Sequence, residues 1–144
     1  MTAAVFFKVR PPASVKQLAP ALKKAVSAGL GTKKSGEVSV VIVGEAGIRR
    51  LNARFLGHAG VTDVIAFNHS RPAFAFPGGE PPFGDIFICL PQARRQAKLL
   101  GHSLETELLI LAVHGALHLS GMDDATPDQR GRMNKKTLRL LRKL

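Results

Sequence analysis

Two histidines four residues apart, His114 and His118, sit in the segment His114-Gly115-Ala116-Leu117-His118-Leu119-Ser120-Gly121-Met122-Asp123-Asp124. On a helix that spacing puts both rings on one face, one turn apart. Gly121 lets the chain reverse, so that a side chain just beyond it reaches the same point from the other side. Asp123 and Asp124 are both near enough, and Asp124, six residues after His118, has the better reach around the turn. Two imidazoles and a carboxylate suit zinc, and the same set accepts iron or manganese. Three protein ligands leave one coordination position open, which is what a catalytic metal needs and a structural one lacks. A plainer reading also fits: Leu108, Leu109, Ile110, Leu111, Ala112, Val113, Leu117 and Leu119 make the run apolar nearly all round, as a buried helix is, with the two histidines as satisfied core residues. The glycine and the two aspartates that follow favour the metal.

The residue after the first histidine decides which bond such a metal would attack. A zinc peptidase carries its general-base glutamate there; this chain carries Gly115, which argues against peptide hydrolysis. Charge points to a phosphodiester instead. With 21 basic against 10 acidic residues the formal net charge is +11, a field that favours a polyanionic partner such as nucleic acid or the ribosome. The cations cluster: Lys23 with Lys24, Lys33 with Lys34, Arg49 with Arg50 and Arg54, Arg94 with Arg95 and Lys98, and most densely from Arg130 to Lys143. With no Trp or Tyr there is little sign of an aromatic platform for bases, so contact with phosphates is the expected mode. A metal-bound water would attack the phosphodiester while basic residues stabilise the added charge. Asp63, Asp85 and Asp123 are the candidate bases, and nothing in the sequence chooses among them.

Positioning these groups takes one domain. The 144 residues, 45% apolar, suffice for a single core. No apolar stretch approaches a membrane span and Met1 to Arg10 lacks a signal-peptide pattern, so a cytoplasmic protein is expected. Cys89, the lone cysteine, reads as core filler. Residues 3–9, 37–43, 62–67 and 84–90 read as strands. Ser14 is expected to cap a first helix running to about Gly29, with Pro20 as its kink or its true first turn. A shorter helix covers Ala46 to Phe55, and Asn68 to Phe83, with four prolines, reads as a mobile loop. Three helices follow, at about 91–100, 103–119 and 127–143. Ser103 caps the one bearing the histidines, Glu105 and Glu107 favour its positive end, and Pro127 opens the last. The expectation is an α+β domain over residues 1–144, a small four-stranded sheet packed with about five helices. The isolated His58, His69 and His102 read as surface or capping residues, with His102 able to orient the site from behind.

Five ordered motifs, Leu51-Asn52, Thr62-Asp63-Val64-Ile65-Ala66-Phe67, Gly84-Asp85-Ile86, Gly101-His102-Ser103 and His114 to Asp124, resemble those of the YbeY family of bacterial endoribonucleases, over about Val38 to Leu141. The resemblance implies a single-strand-specific, metal-dependent endoribonuclease acting on small-subunit ribosomal RNA and in ribosome quality control. It also implies an α+β fold with one zinc at the positions of His114, His118 and Asp124. Two departures stand out. The family's third ligand is a histidine where this chain has Asp124, and many members carry an RNA-contacting arginine where this chain has Leu56. Arg54, two residues earlier, is the candidate substitute, with Asp85 the accompanying catalytic candidate. The expected partners are single-stranded RNA, ribosomal RNA and the small ribosomal subunit, with no membrane. The rival is a non-catalytic, RNA-binding ribosome-assembly factor whose metal only ties the last helices to the sheet; a zinc peptidase stands third.

Overall fold

The computed structural model describes residues 2–31, 36–69 and 82–144. Four Val-, Ile- and Phe-rich segments form one mixed sheet: β1 (Thr2–Phe7), β2 (Glu37–Val43), β3 (Val64–Asn68) and β4 (Pro82–Cys89), in the order β1-β2-β4-β3. The first three neighbours run parallel and β3 lies antiparallel on the edge, with Ile65 opposite Phe87 and Phe67 opposite Asp85. Six helices accompany it among the described residues: α1 (Ala13–Lys16), α2 (Ala19–Leu30), α3 (Glu45–Leu51), α4 (Leu90–Leu100), α5 (Leu104–Leu119) and α6 (Pro127–Leu141). The architecture is the expected α+β one, and none of these helices is long and apolar enough to cross a membrane.

The count exceeds five because the first helix is broken. Ser14 lies inside the one-turn α1 and caps nothing; Pro12 holds the N-cap position without a side-chain bond, and Pro20 opens α2. Proline has no N–H to donate and is favoured in a first turn, so the break falls just before it. The second predicted helix is also two pieces: α3 passes directly into a π-helical turn, Asn52–Leu56, ended by left-handed Gly57. Residues 70–81 of the expected loop lie outside the described residues, as do Lys33 and Lys34; Asn68 ends β3 and Pro82 begins β4.

One apolar layer carries α5. Ile86 and Ile88 of β4 and Val38, Val40 and Ile42 of β2 pack against Val26 of α2 and Leu108, Leu111, Ala112 and Leu117 of α5, all buried. Alternation along the strands sends Val41, Val43, Ile65, Phe87 and Cys89 to the opposite face, where Ile48 of α3 covers them. Three glycines set how closely α5 approaches its neighbours. A Cβ at Gly115 would meet Ile86 Cγ2 at 2.6 Å, one at Gly29 would meet Ala116 Cβ at 2.6 Å, and one at Gly84 would meet the Phe67 carbonyl at 2.7 Å and Leu119 Cδ2 at 2.8 Å. Gly115 is therefore the contact that seats the histidine helix on β4, and a larger residue there would displace it.

Candidate metal centre

Helix α5 begins as expected, with Ser103 Oγ accepting from the Thr106 N–H at 3.1 Å. Its last two turns carry His114 and His118. The chain then reverses at Gly121, whose φ of 106° belongs to the left-handed region that glycine adopts freely, and the Met122 N–H returns to the Leu117 carbonyl at 3.0 Å. Thr126 and Gln129 close a reciprocal capping box at the start of α6, and the Arg130 guanidinium reaches back to the Asp124 and Ala125 carbonyls at 3.4 Å each. The turn thus presents Asp124 to the helix end: its Oδ2 stands 3.4 Å from Nε2 of His118, and His118 in turn lines a cleft of about 560 Å³ with Asn52, Leu56, His58 and Thr62. Asp123 is exposed.

His114 faces differently. Its Nε2 is buried and has no hydrogen-bond partner among the described residues, and its ring lines a second cavity of about 390 Å³ with Asp63, Gln96, Glu107 and Asn134. A buried polar atom without a protein partner is rare, and such a nitrogen is free to take a water or an ion. Burial holds His114 below the usual imidazole range; the Asp63 carboxylate opposes that, and His118 reinforces it. The neutral ring is the form that binds metal. Among the described residues no three side chains of His, Cys, Asp and Glu are gathered closely enough to hold an ion as they stand. His118 and Asp124 meet, and His114 supplies an unpaired nitrogen one turn away. That donor set, two imidazoles and a carboxylate, fits zinc chemically.

Behind the histidines lies a polar chain of which the sequence suggested only His102. Glu107, 2% exposed, is not a solvated partner of the helix dipole. Its Oε1 is 2.7 Å from His102 Nε2 and its Oε2 accepts from Gln96 Nε2 at 2.8 Å. The same amide donates to Asp63 Oδ2 at 3.2 Å, and Asp63 Oδ1 accepts from the Val64 N–H at 2.7 Å. His102 is thereby a half-buried hydrogen-bond partner rather than a surface histidine. Only the seven-residue spacing from Glu107 to His114, two turns along one helix face, hinted that this carboxylate belongs beside the site.

The two other candidates stand apart from the histidines. Asp85 pairs with Phe67 in the sheet and points to the face away from α5, where it bonds His69 Nε2 at 2.8 Å. Asp63, in contrast, lines the His114 cavity. Arg54 sits on the π-helical turn with its guanidinium 5.3 Å from the Phe55 ring centroid, and it borders a third cleft, with Lys8 and Arg50. Asn52 and Leu56, on the other flank of that turn, line the His118 cleft.

The family model described as Endoribonuclease YbeY matches residues 7–144. The chain is 44% identical over 143 residues to the endoribonuclease YbeY of Elusimicrobium minutum, covering 97% of each, and 42% identical over 117 residues to that of Thermus thermophilus, covering 79% of this chain and 80% of the relative. A Thermotoga maritima protein solved in solution shares the fold at a TM-score of 0.58 and 23% identity, over 98% of this chain and 90% of that one.

Proposed function

The chain belongs to the YbeY endoribonuclease family, and on that premise we propose that it cleaves single-stranded RNA with a metal ion, zinc in the first instance, held by His114, His118 and Asp124. Its setting is the cytoplasmic maturation of small-subunit ribosomal RNA and the quality control of ribosomes. The observation that carries the metal is the unpaired, buried His114 Nε2 one helical turn from a His118–Asp124 pair 3.4 Å apart. When bound, such an ion supplies an acidified water and neutralises charge on a phosphoryl oxygen.

The protein's own groups do the rest. Burial keeps His114 neutral and ready to bind. The Gln96 amide ties Asp63 to Glu107, and Glu107 ties in His102, so strand β3, helix α4 and the first turn of α5 are fixed relative to one another. Arg130 pins the turn that carries Asp124. Asp63, beside His114, is better placed than Asp85 to take a proton at the site. Gly115 faces Ile86, so a peptidase base has no room there.

The test is His114→Ala, assayed on single-stranded RNA with metal content measured in parallel. We expect cleavage to fall by about a hundredfold or more, with loss of the bound ion. Undiminished cleavage by a metal-free preparation would overturn the proposal. One observation favours a second reading, a non-catalytic assembly factor: Leu56 brings an apolar side chain, 46% exposed, to the cleft beside His118. It predicts salt-dependent RNA binding without cleavage.

A further inference from the structure

The cleft on the far flank of the π-helical turn, about 1060 Å³, is lined by Val9, Val43 and Gly44, where the parallel strands β1 and β2 end, and by Gly47 of α3. Crevices at the carboxyl ends of parallel strands are common ligand sites. Its walls are cationic. Lys8 is held at one rim by its backbone bond to the Ile42 carbonyl at 2.8 Å; Arg50 and Arg54, four residues apart and so on one helical face, form the other. All three are exposed, and none has a carboxylate partner among the described residues. The cleft's one acid, Glu45, is already bound by Arg95 at 2.6 Å and approached by Arg49 at 3.7 Å, so it does not offset that charge.

Next to these cations stands an exposed aromatic. Phe55, 56% exposed, is braced edge-on by Phe67, centroids 5.3 Å apart, and the Arg54 guanidinium lies 5.3 Å from its centroid. Phe55 also borders the cationic cleft, while its neighbours Asn52 and Leu56 line the His118 cleft, so the turn is a ridge between the two. Unpaired cations in a groove, a fixed aromatic at its edge and a flat arginine beside it are the parts of a single-strand nucleic-acid track: phosphates in the groove, a base on the ridge. We propose that Lys8, Arg50, Arg54 and Phe55 bind the phosphate backbone and one unstacked base of an RNA strand whose continuation crosses the ridge to the His118 cleft. The inference rests on the RNA-cleaving reading for its direction, though not for the groove's chemistry.

The test uses a fluorescent 2′-O-methyl oligoribonucleotide of about a dozen nucleotides, which keeps the phosphates and resists cleavage, titrated at several salt concentrations. Lys8→Glu with Arg50→Glu should weaken binding about tenfold or more at low salt and flatten the log–log salt slope by about 1.4, two single-strand contacts. Phe55→Ala should weaken it about fivefold or more with the slope unchanged. Wild-type affinity and slope in the double variant would overturn the proposal, as would equal binding by anionic lipid vesicles with none by the oligonucleotide. Binding that behaves as expected in a protein that cleaves no RNA would support the groove and overturn the proposed function. Cleavage lost in His114→Ala while Lys8→Glu with Arg50→Glu binds normally would overturn the groove alone.

Discussion

The end of α5 and the π-helical turn after α3 both border the His118 cleft, yet they are built in opposite ways. The histidine helix is pressed into the molecule, with Gly115 against Ile86 and Ala116 against Gly29, so its side chains have little freedom. The turn is exposed throughout except for Asn52, whose Nδ2 donates to the Gly60 carbonyl at 3.1 Å and ties down the following loop. The proposed metal coordination tolerates only small errors in ligand position, and two of its three ligands stand on the rigid element. Phosphate binding by long cationic side chains tolerates large errors, and Arg50 and Arg54 stand where water reaches them. The contrast separates precision from attraction within one chain.

Gly115→Glu should disturb the buried side of the molecule most. It would drive a Cβ into Ile86 and bury a carboxylate, costing more than about 3 kcal/mol in urea unfolding. A stable variant would mean that α5 is not seated as tightly as described. Glu107→Leu should cost roughly 1–3 kcal/mol by the same measurement, since the His102 ring and the Gln96 amide lose a partner. An unchanged midpoint would show that the polar chain behind the histidines does not hold them. The smallest effect is expected on the exposed side, at the Glu45–Arg95 pair. The Arg95 hydrogen bond, and then its charge, hold the Glu45 carboxyl below the usual carboxylate range. The unfolded chain therefore takes up that proton first as pH falls. The pair's contribution is present above the ordinary carboxylate range and fades as pH drops through the lowered value. Because both groups are exposed, Glu45→Gln should leave the neutral-pH unfolding midpoint within error, and a clear drop would place part of the fold's stability on the surface that carries the cations.

The histidine helix is legible in the amino-acid sequence because its signals are local: a capping serine, a four-residue spacing, a glycine at the reversal. The strands are legible from their Val and Ile runs. What sequence periodicity lacks is the partner of each face. Asp85 and Ile86 are neighbours in one strand, and only the register with Phe67 and the seat of Gly115 show that Ile86 turns to the histidine helix and Asp85 away. Glu107 reads as a helix-dipole carboxylate because its partners His102 and Gln96 come from α4 and the loop after it. The break at Pro20 follows from a local signal, proline's place in a first turn, whereas the π-helical turn at Asn52 has no such marker.

On the proposed reading, a metal on His114, His118 and Asp124 is what cuts RNA. That reading is tested most directly by elemental analysis of the purified protein, paired with cleavage of single-stranded RNA at fixed salt before and after chelation. One bound metal ion per chain is expected, with cleavage abolished by its removal and restored when zinc is returned. Full cleavage after the metal is gone would contradict that reading.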